Sequence, residues 1–347
     1  MPNDNTMQAL VFQGPGKLSL RSIARPVPGN GEVLIRVQAA AICGTDLRIV
    51  AGRKTRDVRV GHPIGHECAG TVAAVGPGVH DLAPGDRIGV CVVVSCGQCH
   101  FCDADKENLC ETRITLGYHT DGAFAEYMLI PAQAVRRGNL FKLPNDLPIH
   151  LTPLLEPLAC CINGQHEMAL QTSDSLVIFG AGPIGLLHVL LAKAYRAATT
   201  PTAPITVVEP VSLRRQLAIQ FGADATYSPN EFNAAGQYDA AILAVGVPEL
   251  VNTALRAVRK TGKMSLFAGF DQETTVAIDP NIIHYNQIRV TGASESRRRD
   301  YAEALSLVAQ GTLDPSPLMT HRLHLENYAE AFRAVENGSA LKVIFEL

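Results

Sequence analysis

The sequence predicts an α/β chain of two domains, a mainly β half followed by a doubly wound parallel sheet. Three observations carry that prediction. Residues 7 to 40 read as short strands, "MQALVF", "KLSLRSI" and "EVLIRVQAAAI", cut by glycine and proline. After the proline-punctuated stretch "PNDLPIHLTP" the rhythm changes to strands alternating with helices, the pattern of right-handed parallel crossovers. A chain of 347 residues is also long for a single core. The expected divisions are 1–152, 153–292, and a tail, 293–347, that returns to the first domain.

Within the β half, "HECAGTVAAVG" and "GDRIGVCVVV" continue the strand pattern until a cysteine-rich lobe, about 95–112, interrupts it. The second half opens on "SLVIF", a short apolar strand, and "GLLHVLLAKAY", an apolar helix. "ITVVE" is the next strand and "LRRQLAIQFGA" a helix ending at glycine; "RAATTPTAPI", 196 to 205, is an insertion before that strand. "YDAAILAVG", a helix from about Pro248 to Arg259, "KMSLFAGF" and "QIRVTGA" extend the alternation. Two helices, "RDYAEALSLVAQG" and "LENYAEAFRAVENG", and a strand, "KVIFEL", make the tail.

Composition narrows the function classes. With 47% hydrophobic and 18% charged residues and a formal charge of −3, the chain offers no electrostatic footprint for nucleic acid or an anionic membrane. Its one basic run, Arg297-Arg298-Arg299, is followed at once by Asp300 and reads as a solvated surface or a helix start. The first ten residues carry no export signal, so a cytoplasmic location is expected. The most apolar stretch, Ser175 to Tyr195, is broken by "GAGPIG" and falls short of the roughly 20 apolar residues of a membrane span. Cysteines in a reducing compartment bind metal more readily than they pair, and nine is an odd count.

"VIFGAGPIG" places Gly180, Gly182 and Gly185 between a strand and a helix, with Pro183 and Ile184 opening the helix. Such a turn lets a pyrophosphate approach the backbone and meet the helix N-terminus. Glu209 ends the next strand 24 positions after Gly185, where a carboxylate binds ribose hydroxyls and repels a 2′-phosphate. NAD is therefore expected over NADP on a Rossmann sheet. Arg214 and Arg215 could soften that preference but read as solvated helix-face residues, with Arg214 still within reach of the ribose edge. Val245, Ala268 and Gly269, at the ends of later strands, complete the expected cofactor contacts.

Cys96, Cys99, Cys102 and Cys110 follow the spacing C-x2-C-x2-C-x7-C. Four thiolates close a tetrahedral zinc site and leave no position for substrate, so this site is expected to be structural. A bacterial iron–sulfur run would place its fourth cysteine after three residues and then proline; here seven intervene and Glu111 follows. A catalytic zinc instead needs three mixed ligands and a vacancy. "CGTD" (Cys43 to Asp46), "GHE" (Gly65 to Glu67) and "LLEP", with Glu156 at a helix start, are candidates, none decisive singly.

Taken in order, "CGTD", "GHE", the four-cysteine lobe, "LLEP" and "GAGPIG" resemble the zinc-dependent medium-chain dehydrogenases over essentially the whole chain, and most the sorbitol/iditol-type polyol dehydrogenases. The resemblance implies a GroES-like catalytic domain joined to the Rossmann domain, and two zinc ions per chain. Cys43, His66 and Glu156 stand at ligand positions, with Glu67 on the metal or behind it. In the polyol branch Glu67 takes the metal and Glu156 faces the fourth position. Thr45 takes the substrate proton as hydride leaves for NAD. The implied substrate is a polyol or cyclitol; threonine, a vicinal diol and a sugar-alcohol phosphate are alternatives, and a non-catalytic zinc-binding relative is the remote one. A homo-oligomer, by preference a tetramer, is implied as well. Where many relatives carry histidine to finish the proton relay, this chain has Arg48, which cannot accept a proton. The exit then runs through ribose hydroxyls, water, His62 or His119, and Arg48 is free to attract a polar or anionic substrate. Ser294, Glu295 and Arg297 stand where they can face substrate, and equally solvent or the cofactor.

Overall fold

The computed structural model describes residues 5–197, 203–271 and 273–347, so half of the expected 196–205 insertion lies outside the described residues. The chain packs into two units. One runs up to Glu156 and adds Ser296–Ala309 and Pro315–Leu347; the other is Pro157–Glu295 with Gln310–Asp314. The breaks anticipated at 152/153 and 292/293 compare with 156/157 and 295/296 in the packing.

The first unit is organised on the strand Val33–Ala41, buried along its length except at Arg36, which is exposed, and Gln38, which is half-buried. Antiparallel to it lie Glu67–Val75, Tyr127–Ile130 and the C-terminal strand Lys342–Glu346. Ala41 faces Glu67 on one side and Ile344 on the other, which brings the chain's end beside residue 67. The core includes Ile35, Val37, Ile64, Phe124 and Phe345. Phe124 meets Phe345 edge-on, ring centroids 5.2 Å apart, the geometry an aromatic quadrupole favours.

The second unit holds six parallel strands in the order Ala225–Tyr227, Ile205–Val208, Leu176–Phe179, Tyr238–Leu243, Val258–Leu266, Arg289–Gly292. Counted along the chain from Leu176, that is 3-2-1-4-5-6, the doubly wound order with its switch point between the first and fourth strands. Leu176–Phe179 and Ile205–Val208 are buried throughout, as expected of strands covered on both faces. The helix Pro183–Arg196 starts with Gly182 as N-cap and Pro183 in its first turn.

Candidate active site and metal centres

The glycine turn has the geometry its sequence demands. Gly180 adopts φ +101°, and a Cβ on Gly185 would stand 1.9 Å from Gly180 O, so neither position accepts a side chain. A Cβ on Gly182 would meet nothing within 4 Å, the open approach a pyrophosphate requires. Val245 packs over Gly180, at 3.3 Å from that residue's would-be Cβ, which sets it at the switch point. Ala268 N donates to Leu243 O at 3.0 Å, and Gly269 O lies against Gly246, so these later strand ends converge on the same edge. Glu209 is buried, and its carboxylate accepts from Ala181 N at 2.8 Å and Val211 N at 3.0 Å. It thus braces the glycine turn while keeping lone pairs for a ligand. Arg215, expected to be solvated, donates to Glu209 O and Pro210 O at 2.8 Å each and clamps that turn; Arg214 is half-buried on the helix Ser212–Gln220.

In the lobe, the sulfurs of Cys96, Cys99, Cys102 and Cys110 all lie within 4.8 Å of one another. Gly97 N donates to Cys102 Sγ and Cys96 N to Cys110 Sγ, each at 3.3 Å. Backbone donors of this kind stabilise thiolates. The Gln98 N–H draws the Cys96 thiol down to about 6. Cys99, despite the Cys102 N–H, is pushed up to about 11 by burial and by its sulfur neighbours. Four thiols this close hold a full set of negative charges only around a cation, which fits zinc.

The lobe is pinned by Glu107, which accepts from Arg298 N at 2.8 Å and pairs with the Arg298 and Arg137 guanidiniums at 3.0 and 3.4 Å. The arginine run is thus the helix start the sequence allowed, opening the helix Arg298–Ala309, but it is not simply solvated surface. Arg297 is buried against Asp300 at 2.8 Å, Arg298 holds Glu107, and Arg299 pairs with Asp105. Arg297 is thereby engaged within the fold. The backbone carbonyls of Ser294 and Glu295 accept from Asn163.

Cys43 caps the helix Gly44–Val50 and donates its N–H to Asp46 Oδ2 at 2.8 Å. Asp46, fully buried, sets its other oxygen 3.3 Å from His66 Nδ1, close enough for charge attraction but without a hydrogen bond's alignment. One carboxylate therefore orients both Cys43 and His66. Gly65 adopts φ +99° with the Phe124 ring 2.6 Å from where its Cβ would be, so only glycine lets the chain turn His66 inward. Glu67 follows, fully buried, with Lys342 Nζ bonded to both its oxygens, one at 2.6 Å, and to Ile42 O at 3.3 Å. Donor atoms of Cys43, His66 and Glu67 all lie within 4.8 Å of one another.

Glu156 is buried in the first turn of the helix Leu155–Glu167; its carboxylate acts electrostatically on Tyr118, Cys68 and Lys342, but it is not among the donor atoms that lie within 4.8 Å of one another. Burial opposes a charge on His66, yet Tyr118, Asp46 and Cys43 together hold its pKa well above the ordinary value. Thiolate, imidazole and carboxylate converging in one buried pocket are a mixed zinc donor set. Thr45, in the first turn of the helix Gly44–Val50, accepts a hydrogen bond from Arg48 Nη2 at 3.3 Å. His62 and His119 are tied into surface turns, His62 to Asp121 at 2.8 Å and His119 to Thr115 N at 3.0 Å. Three contributors escaped the sequence reading: Asp46, Tyr118 and Lys342. Asp46 left a signal, an acid three residues after the capping Cys43; the other two left none.

With this geometry in hand, comparison with known proteins is direct. Residues 29–144 match the family described as "Alcohol dehydrogenase GroES-like domain" and residues 183–310 that described as "Zinc-binding dehydrogenase". The L-threonine 3-dehydrogenase of Thermococcus kodakarensis is 34% identical across 98% of this chain and 97% of its own. The chain belongs to the zinc-dependent medium-chain dehydrogenases. Among solved members, a zinc-binding dehydrogenase of Sinorhizobium meliloti 1021 bound to NADP superposes with TM-score 0.90 at 30% identity, covering 99% of both chains. The 2R,3R-butanediol dehydrogenase of Bacillus subtilis does so with TM-score 0.87 at 26% identity, covering 98% of this chain and 99% of the other. Zinc and a nicotinamide dinucleotide are accordingly the cofactors of this dehydrogenase, and no helix among the described residues is long and apolar enough to cross a membrane.

Proposed function

We propose that this dehydrogenase oxidises, with NAD, a secondary alcohol whose neighbouring carbon carries a second polar group, giving a ketone and NADH. The observation that supports it most is the cluster of half-buried Cys43, two residues from Thr45, with buried His66 and Glu67. In this reading Cys43, His66 and Glu67 would hold the catalytic zinc, and Glu156 would act on the substrate or water that reaches it. Cys96, Cys99, Cys102 and Cys110 hold the structural one. When bound, the catalytic zinc supplies Lewis acidity that lowers the pKa of a substrate hydroxyl. Thr45 receives that hydroxyl proton on the lone pair Arg48 leaves open, since a hydroxyl oxygen has two. Arg48 has no proton-accepting form, so the proton leaves through ribose hydroxyls or water while hydride passes from the carbinol carbon to the nicotinamide.

The polyol or cyclitol expected from the acidic ligand set is one reading of the substrate. The second is a β-hydroxy amino acid, favoured by the 34% identity to the Thermococcus kodakarensis L-threonine 3-dehydrogenase. NADH production from sorbitol, inositol, 2,3-butanediol and L-threonine decides between them; no turnover of any alcohol by the two-zinc protein would refute the proposal. A cytoplasmic homo-oligomer, a tetramer by preference, completes the reading, and light scattering of the purified protein tests its size.

Glu209 carries the preference for NAD. Replacing it by glutamine removes the charge that repels a 2′-phosphate while leaving one acceptor oxygen for the bracing N–H groups. The ratio of kcat/KM for NAD over NADP is expected to fall roughly tenfold, about 1.4 kcal/mol. An unchanged ratio would remove Glu209 from cofactor selection.

A further inference from the structure

We infer that Tyr118 is a substrate-positioning residue whose phenol donates a hydrogen bond to the oxygen of the alcohol being oxidised. The inference rests on the metal-centred reading of Cys43, His66 and Glu67. Tyr118 follows the strand Ile114–Thr115 in a turn pressed directly onto the metal-ligand segment: a Cβ on Gly117 would stand 2.4 Å from Gly65 O and 3.2 Å from His66 Cβ. That turn delivers the Tyr118 ring to His66, with centroids 5.0 Å apart and planes tilted by 56°. Lys54 Nζ covers the Tyr118 ring at 4.7 Å from its centroid, a cation–π contact that holds it against the histidine.

Which nitrogen the phenol faces decides the argument. Asp46 occupies the Nδ1 side of His66 at 3.3 Å, so Nε2 is the nitrogen presented to a metal. Tyr118 Oη lies 3.4 Å from that same Nε2. A ring nitrogen has one lone pair, which cannot serve a metal and a phenol together. Whichever way that contact runs without metal, a metal on Nε2 would end it and leave the phenol without its ring partner at the edge of the metal pocket, where an unpaired donor is costly. The groups whose charges reach the phenol are His66, Cys43, Asp46 and Glu156. Cys43 and His66 are committed to the metal, Asp46 to Cys43 N and the far side of His66, and Glu156 is the one remaining group that competes with an alcohol oxygen for the phenol. An alcohol oxygen arriving at the metal's open position supplies the missing acceptor, and a hydroxyl oxygen has a lone pair to give. Tyr118 then fixes that oxygen opposite Thr45, one group donating to it and the other accepting from it.

The test compares the wild type with Tyr118→Phe in the zinc-loaded and cobalt(II)-substituted proteins. The variant is expected to keep two metals per chain, to lose roughly tenfold in kcat/KM for whichever of sorbitol, 2,3-butanediol or L-threonine is turned over, and to bind that alcohol correspondingly more weakly in a titration followed by the cobalt absorption band. The chain has no tryptophan among its residues, so its tyrosine band is readable. Adding zinc to metal-free wild type is expected to perturb that band as the phenol leaves Nε2, and the perturbation disappears in Tyr118→Phe. Unchanged kcat/KM and alcohol affinity would overturn the inference, as would a loss of metal affinity with alcohol binding intact, since the phenol would then be supporting a ligand. A two-zinc wild type that reduces NAD with none of these alcohols is a different result: it removes the dehydrogenase reading and this inference with it.

Discussion

Lys342→Ala is expected to destabilise the β unit by about 4 kcal/mol, because it strands Glu67 as an uncompensated buried charge. Burial alone would lower the Lys342 pKa, but the Glu67 carboxylate, with Cys43 and Glu156 behind it, raises the value above that of an ordinary lysine. A raised cationic pKa means the pair's contribution is complete below the ordinary lysine value and is lost only as pH climbs through the folded one. The ion pair is thus intact at neutral and mildly alkaline pH. Denaturant melts of metal-free protein at neutral pH should show the loss, and zinc should restore part of it by giving Glu67 a second cation. The double variant Lys342→Ala/Glu67→Gln is the control: removing the orphaned charge should recover more stability than the single losses would allow if they added. A single-variant loss below about 1 kcal/mol would mean that water or relaxation solvates Glu67 and that the pair is incidental. Zinc affinity at the Cys43 site should fall by roughly 10- to 100-fold in Lys342→Ala, since ligating carboxylates depend on the groups that orient them.

Contacts of this sort explain what the sequence could and could not disclose. "VIFGAGPIG" was legible because strand, turn and helix are contiguous and each glycine answers a local steric demand. The four cysteines were legible for the same reason, lying within fifteen positions. Cys43, His66 and Glu156 look ordinary one at a time and acquired meaning only from their order along the chain. Lys342 and Glu67 lie 275 residues apart, and Arg298 and Glu107 191 apart, so no window of sequence contains either pair. An arginine triplet therefore reads as solvated surface until strand register and helix placement bring its partners to it. Tyr118 gave no signal because a tyrosine in a glycine-bounded turn is commonplace; its role lies in which nitrogen of His66 it faces. Asp46 differs, since its spacing from Cys43 follows a capping rule that applies to this helix start.

His66→Ala is expected to lower zinc from two ions per chain to one and to cut NAD reduction by roughly a thousandfold, the equivalent of about 4 kcal/mol of Lewis-acid stabilisation. The lobe ion should remain, because Cys96, Cys99, Cys102 and Cys110 form a closed set that does not include His66. Glu156→Gln should behave differently. Glu67 lies within the donor cluster and is steadied by Lys342, so both zincs are expected to stay while activity falls by roughly 10- to 100-fold. If Glu156→Gln instead lost one zinc, Glu156 would be the third ligand and Glu67 only its neighbour. Proton release supplies an independent check on His66. Its raised pKa means that, below that value, zinc must displace a proton to bind, so affinity at the catalytic site should tighten as pH rises and level off above it. Calorimetric titration of the apo site in two buffers of different ionisation heat measures those protons directly. His66→Ala should abolish the His66 share of the release, and a wild-type titration without proton uptake by buffer would place the metal elsewhere.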